Sequence, residues 1–485
     1  ATGMSAPYDA VIIGSGPNGL AAAVALLQGG ASVLVLEAKA ELGGGTCTSE
    51  LTLPGFWHDV CAAVHPLGIL SPFLRTLPLA EHGLQWISPA ASVAHPLDDG
   101  PAVMLWPELE ATAEGLGPDA AAYRQLIAPF LREPHVLLAD LLGPLRLPAR
   151  PLALMRFGLL AIRSAVGLAR GRFSGPRAQA LLAGCAAHAI QPLEHTLTAA
   201  LGLIFLLSGH LAPWPVARGG SAAISRALAS LLRSLGGQLQ TGVPISSLGE
   251  LPPARAYLFD TSPDQLAAIA EPVLPGGYVR RLRRFRYGPG AFKLDWALSG
   301  PIPWRDPSCL AASTVHLGGT LEEISAAERA MWRGEHPDRP YVLLCQQSQF
   351  DDSRAPAGQH TGYAYCHVPA GSALDQTEVI ERQVERFAPG FRDRILARRA
   401  MRAVDFASYN RNYVGGAITG GVADIFQLFS RPVLRLNPYT TPHPRLFICS
   451  ASTPPGGGVH GMCGFFAAQA AIRRIARVKQ ITPIS

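Results

Sequence analysis

Residues 8–37 hold a strand, a glycine turn, a helix and a second strand in immediate succession, and that unit constrains the fold more than anything else in the chain. YDAVIIG (Tyr8 to Gly14) predicts a short buried strand, and NGLAAAVALLQ (Asn18 to Gln28) predicts a helix closed by Gly29 and Gly30. Ala31 to Leu36 predicts the next strand. Parallel strands joined by a helix imply a doubly wound sheet. The turn between them is Gly14-Ser15-Gly16-Pro17-Asn18-Gly19. Gly14 permits the tight turn, Gly16 lets the backbone approach a pyrophosphate, and Gly19 lets the helix pack on the strand. The helix N-terminus stabilises the anion. Glu37 follows about twenty residues later, where a carboxylate accepts hydrogen bonds from ribose hydroxyls and repels a 2′-phosphate. Ala38 and Lys39 extend the same edge.

The next segment separates one dinucleotide from another. Leu42 to Thr48 carries Gly43, Gly44 and Gly45 before Thr46, and such glycines let the chain run close beneath a flavin nucleotide. FAD is the expected cofactor. No HExxH, paired-cysteine or EF-hand spacing accompanies the fourteen histidines, so no metal is expected, and no GxSxG nucleophile elbow occurs.

Length and charge bound the rest. At 485 residues the chain suits about two interleaved domains. Lys+Arg 41 against Asp+Glu 35 gives +6, spread along the chain rather than gathered into runs, which argues against nucleic acid as a partner. Nearly all of the cations are arginine, with lysine only at Lys39, Lys293 and Lys479. The eight cysteines lie far apart, fitting a reduced, cytoplasmic setting. The residues before Met4 read as an expression remnant, and no signal peptide is expected.

The fold class is therefore α/β: a Rossmann-like FAD-binding domain with a doubly wound parallel sheet, interleaved with an α+β substrate domain and a helical cap. The expected boundaries are 1–92, 216–290 and 433–485 for the FAD domain, 93–215 for the cap and 291–432 for the substrate domain. Ser221 to Leu235 returns to the nucleotide domain as a helix, and QLQTGVPISSL, which contains Ile245, follows as a strand. Ala291 to Leu298 alternates as a strand of a second sheet, and LFICSA leads through the Pro454 to Gly458 turn into a closing helix from Phe465 to Arg477. Thr196 to Ala217 lacks any charged residue but contains His210, Pro213 and Pro215, so a buried helix lining an apolar cavity is expected rather than a membrane span.

GSGPNG, Glu37, ELGGG with its Thr-rich continuation, FKLDWALSGPIPW (Phe292 to Trp304) and ICSASTPPGGGVHGMCGFFAAQAA together resemble the phytoene desaturase-like branch of the FAD-dependent flavin amine oxidase superfamily, which includes carotenoid desaturases and retinol saturase relatives. The resemblance implies that Ser450, Gly457, Gly458, Val459 and His460 pass the flavin's ribityl chain and ring, and that Tyr409 to Tyr413 reaches the cofactor region. The chain departs from its relatives where Gly45 or Thr46 replaces an arginine that often follows the second glycine motif. It departs again where CSAST lacks an acidic residue.

Three residues are candidates near the reacting centre. Lys293 lies beside Asp295 on a strand, and in the superfamily a lysine on a comparable strand holds a water near flavin N5; pairing with Asp295 alone is the plainer reading. His65, with His58 nearby, approaches from the cap side, and a packing histidine is the alternative. His460 is placed by the closing motif. Leu141 to Phe173 combines Leu, Ala and Val with Arg146, Arg150, Arg156, Arg163, Arg170 and Arg172, a basic amphipathic pattern suited to peripheral contact with the inner face of a membrane or to a solvated cap face. The resulting expectation is hydride abstraction from an isoprenoid or other extended apolar substrate, with oxygen or a quinone as electron acceptor. Amine or amino-acid oxidase, carotenoid ketolase or isomerase, and a prenyl-binding escort without redox activity remain the alternatives.

Overall fold

The computed structural model describes residues 8–476 and Ile484. Arg477, Lys479 and the residues before Met4, on which three of the sequence readings fall, lie outside the described residues. Tyr8–Ile13 forms the middle of a five-stranded, wholly parallel sheet, flanked by Ala254–Phe259 and then Leu446–Ile448 on one side and by Val33–Leu36 and then Gln238–Gln240 on the other. Strands buried on both faces read as continuous apolar runs, and VLVL and YDAVII do so.

The helix Pro17–Gln28 starts with proline at its first position, where no amide donor is needed, and is buried from Asn18 to Leu26. It packs against the closing helix Met462–Ile475. A Cβ at Gly464 would stand 1.8 Å from the Asn18 carbonyl oxygen, so only glycine permits the crossing. The N- and C-terminal motifs are thereby brought together.

The second sheet has seven strands, ordered Ile395–Met401, Gly290–Leu298, His360–Val368, Val342–Cys345, Ala312–Leu317, Ala91–His95, Val103–Leu105. Its register aligns Lys293 with Tyr365, Tyr365 with Leu343 and Leu343 with His316. The adjacent row aligns Asp295, Tyr363, Cys345 and Thr314. Because side chains alternate across a strand, all of these share one face. Leu294, Ala364, Leu344 and Val315 take the other and form a separate apolar core with Phe292, Trp296 and Phe391.

Residues 93–105 were expected to open the helical cap and instead belong to this sheet. ASVAH pairs in parallel with Ala312–Leu317, and Val103–Leu105 closes the edge, so the helical run begins only at Leu109. A local pattern could not reveal a partner strand more than two hundred residues away. The uncharged segment forms the helix Thr198–Leu211, too short to cross a bilayer, and no single helix among the described residues is long and apolar enough to do so.

Buried charge ties the Trp57–Asp59 hairpin and the Ser221 turn to the Gln347–Arg354 segment. Asp59 is wholly buried, and its Oδ1 accepts from the Ser221 amide (2.7 Å) and Thr48 Oγ1 (3.0 Å). Its Oδ2 accepts from Arg354 Nη1 (3.0 Å) and Gln347 Nε2 (3.2 Å). Arg354, equally buried, also donates from Nε to Asp351 (2.8 Å) and from Nη2 to the Ala217 carbonyl (3.2 Å). Burial alone would raise the Asp59 carboxyl's pKa, but the Arg354 guanidinium, followed by the Ser221 amide, holds it below the usual range. Removing one partner of such a pair leaves an uncompensated buried charge. Arg354→Ala is expected to lower the unfolding free energy by about 3–5 kcal/mol, measured by denaturant unfolding against Arg218→Ala as an exposed arginine control.

Candidate functional site

A continuous cavity of ≈ 570 Å³ starts at the first glycine turn and ends on the seven-stranded sheet. At its nucleotide end it is lined by Gly14, Gly16, Pro17 and Asn18, by Glu37, Ala38 and Lys39, and by Ile245 with its neighbours Val243 and Pro244. Gly44 and Gly45 of the second motif follow, and Ser450, Gly457, Gly458 and Val459 close the opposite wall. A Cβ on Gly44 would stand 3.0 Å from Gly16 Cα, so the two glycine turns lie in contact.

Other residues named from the sequence sit one layer back. Gly19 packs under the turn, its amide donating to Asp260 Oδ2 (2.9 Å). Gly43 accepts from Thr46 Oγ1 (2.8 Å), which fixes the second turn. His460 is buried with both ring nitrogens engaged: Nδ1 accepts from the Met462 amide (3.0 Å), and Nε2 donates to the Gly456 carbonyl (3.2 Å). Burial pushes its pKa down to about 4, so it is neutral at pH 7 and braces the glycine loop. His65 lies behind Pro66 against Trp86 (5.7 Å between rings), also lowered to about 4 by burial.

Lys293 is 1% exposed. Its Nζ donates to the Asp59 carbonyl (2.8 Å) and to Asp295 Oδ2 (2.5 Å), and it lies 4.5 Å from the centre of the Tyr363 ring. Burial raises the Asp295 carboxyl to about 6 despite the pull of Lys293. Tyr363 lines the cavity and donates to the Cys61 carbonyl (2.5 Å), so the Lys293 charge meets the cavity through that ring.

The nucleotide end fits FAD. Glu37 accepts from Ser15 N and Oγ (2.9 and 2.6 Å) on one oxygen and from the Lys39 amide (2.9 Å) on the other, a geometry that holds the carboxylate rigid at the cavity edge. Asn18 Oδ1 and Thr261 Oγ1, both on cavity-lining residues, are buried without a protein partner, and such groups are normally satisfied by something bound. The sequence reading missed Asp260 and Thr261, which leave the strand Ala254–Phe259 at the cavity wall. Burial lifts the Asp260 carboxyl to about 7. It also missed Arg431, whose buried guanidinium holds the Gly420, Ala451 and Ser452 carbonyls and thereby shapes the closing loop.

Beyond the glycine turns the lining changes character. Cys61 to Val64, Phe205, Trp214, Leu343, Cys345, Tyr363, Tyr365 and Ile418 form an aliphatic and aromatic chamber, with His188 and Thr314 as polar members. No carboxylate or guanidinium lines this part among the described residues; Glu37, Lys39, Asp260 and Arg411 belong to the nucleotide side. Tyr409 to Tyr413 borders the cleft.

Comparison with known proteins agrees with this geometry. The NAD(P)-binding Rossmann-like domain family matches residues 12–76. The mouse pyridine nucleotide-disulfide oxidoreductase domain-containing protein 2 is 28% identical over an alignment covering 96% of this chain and 93% of that protein. One of the limonene dehydrogenase subunits of Castellaniella defragrans is 34% identical over 108 residues, 22% of this chain and 19% of that one. Wild-type putrescine oxidase bound to putrescine superposes with a TM-score of 0.60 at 18% identity, covering 97% of this chain and 98% of that chain. The chain shares the fold of putrescine oxidase, and its Rossmann unit and cleft together fit an FAD-dependent oxidoreductase.

Glu37→Ala removes the carboxylate that would receive the adenosine ribose hydroxyls and is expected to weaken FAD binding by about 10–100-fold, the loss typical of a hydrogen bond to a charged group. The flavin-to-protein absorbance ratio after dialysis measures this, with Glu37→Gln retaining part of the affinity.

Proposed function

We propose that this chain dehydrogenates a compact, mainly apolar isoprenoid-type substrate, introducing a carbon–carbon double bond, with oxygen or a quinone taking up the electrons. The chamber carries this reading: aromatic and aliphatic walls beside the glycine turns, with no ion pair to recognise a charged substrate. Bound FAD would supply the hydride acceptor, with the oxygen or quinone reoxidising it. The chain's own residues orient the substrate by shape and exclude water, which suits a transfer whose reacting atoms must be held in contact. Because the cavity must house the flavin as well, its size favours a short terpenoid or one end of a longer chain over an enclosed carotenoid. The relative named for limonene dehydrogenation supports the same substrate class.

An amine substrate is the second reading. Tyr363 and Tyr365 stand edge to face, with ring centres 6.1 Å apart, and aromatic faces attract an ammonium group. An amino acid is disfavoured because no arginine in the chamber would receive its carboxylate. Anaerobic titration of the holoprotein separates the two: limonene and related terpenes are expected to bleach the oxidised flavin band, and bleaching by primary amines instead would overturn the isoprenoid reading.

We further propose peripheral contact with an anionic membrane. Leu145, Leu147, Leu152, Met155, Leu159 and Ile162 are 50–95% exposed, an unusual concentration of bare apolar side chains on the cap. Arg146, Arg150, Arg156 and Arg163 are interleaved with them, and Leu152, Met155, Leu159 and Ile162 recur at helical spacing along Pro151–Ala161 and its C-cap. Co-sedimentation with phosphatidylserine vesicles is expected for the wild-type chain and lost in Leu152→Asp/Leu159→Asp; a wild-type protein that stays in the supernatant would refute the contact.

A further inference from the structure

At the far end of the chamber, within its apolar walls, stands one histidine backed by a second. His188 lines the cavity, its ring 4.5 Å from Phe205 and 5.7 Å from Trp214, and its Nε2 lies 3.0 Å from Nε2 of His316. His316 is wholly buried, on the sheet face that forms the chamber floor. Its Nδ1 has no partner and points at Gly184, where a Cβ would come within 2.7 Å.

This arrangement fixes the tautomers of both rings. Two facing Nε2 atoms make a hydrogen bond only if one carries the proton and the other does not. A protonated Nδ1 on His316 would be a buried donor with nothing to bond, the costlier choice, so His316 carries its proton on Nε2 and donates it to His188. His188 Nε2 is then an acceptor, and the proton of the neutral ring sits on Nδ1. That nitrogen has no protein partner, yet it is not among the fully enclosed unpaired atoms, which leaves it open to the chamber. Both rings remain neutral at pH 7, because burial lowers His188 to about 3 and holds His316 well below the usual imidazole range. Thr314 adds a hydroxyl two residues from His316 on the same strand face.

We propose that His188 is a specificity-determining residue whose Nδ1–H receives an acceptor oxygen, a carbonyl, hydroxyl or ether, carried by an otherwise apolar substrate, with His316 as the positioning residue that holds it in the donating tautomer. The inference rests on the apolar-substrate reading above and deepens it: the chamber selects an oxygenated terpenoid over the bare hydrocarbon. A neutral donor in an apolar wall discriminates by the cost of leaving the oxygen, or the donor itself, unpaired.

The test is binding to the oxidised holoprotein, followed by the shift of the flavin visible band under anaerobic conditions, with limonene, carvone and carveol as probes. Binding is read whether or not the flavin is subsequently reduced, so absent bleaching would count against the dehydrogenase reading alone. His188→Phe is expected to lower the ratio of carvone to limonene affinity about tenfold while flavin content is unchanged. His316→Leu should lower it likewise, and His316→Gln, which keeps an N–H donor in reach of His188 Nε2, should restore it. A merely structural role would not produce that rescue. Equal affinity ratios in wild type and His188→Phe, including the absence of any carvone-induced shift in either, would overturn the proposal.

Discussion

Asp59 is the buried charge at which segments from both halves of the chain meet. Its carboxylate receives four hydrogen bonds, and its carbonyl oxygen receives the Lys293 ammonium. Strand Trp57–Asp59, the Ser221 turn, the Gln347–Arg354 segment and the Lys293 strand therefore meet at one residue. Buried charges are expensive unless each is compensated, and here the compensation is distributed over both domains. A cluster of this kind tolerates little displacement, because any shift would leave a desolvated charge unpaired. It sits directly behind Tyr363 and the Cys61 to Val64 stretch, so the rigidity is delivered to the wall where the cofactor and substrate would meet.

The seven-stranded sheet divides its labour by face. One side carries Lys293, Asp295, Tyr363, Tyr365, Leu343, Cys345, Thr314 and His316 and turns toward the cavity and its supporting charges. The other is an apolar core that fastens the helix Thr377–Phe387. Along the cavity face the chemistry grades from charge at the Lys293 edge, through tyrosine and aliphatic residues, to the neutral histidines. The chamber wall itself is apolar apart from His188 and Thr314, with the Lys293 charge held behind the Tyr363 ring.

The nucleotide half was legible because its signals are local. A tight turn, a phosphate approach and a helix start are each specified by residues within a few positions, so GSGPNG, Glu37 and the second glycine motif announce the cofactor without any knowledge of the rest. The closing motif was legible for the same reason, and Gly464 and Gly16 occupy positions where a larger side chain would strike backbone or Asp260. His460 and His65 illustrate the limit. Their identities drew attention as reactive groups, whereas His460 spends both ring nitrogens on the backbone of the loop and His65 is packed against Trp86.

The sequence by itself determined the dinucleotide unit, the glycine-rich approach of both chain ends to it, and the α/β class, because these depend on steric and hydrogen-bonding rules that act over short spans. Only the tertiary structure decided the apolar chamber. His188 and His316 are 128 positions apart, Asp59 and Arg354 are 295, and the strand Ala91–His95 finds its partner across the whole helical cap. Such meetings are set by how helices and sheets pack over the core, and a buried histidine or arginine has the same local sequence signature whether it faces a cavity, a carboxylate or nothing at all.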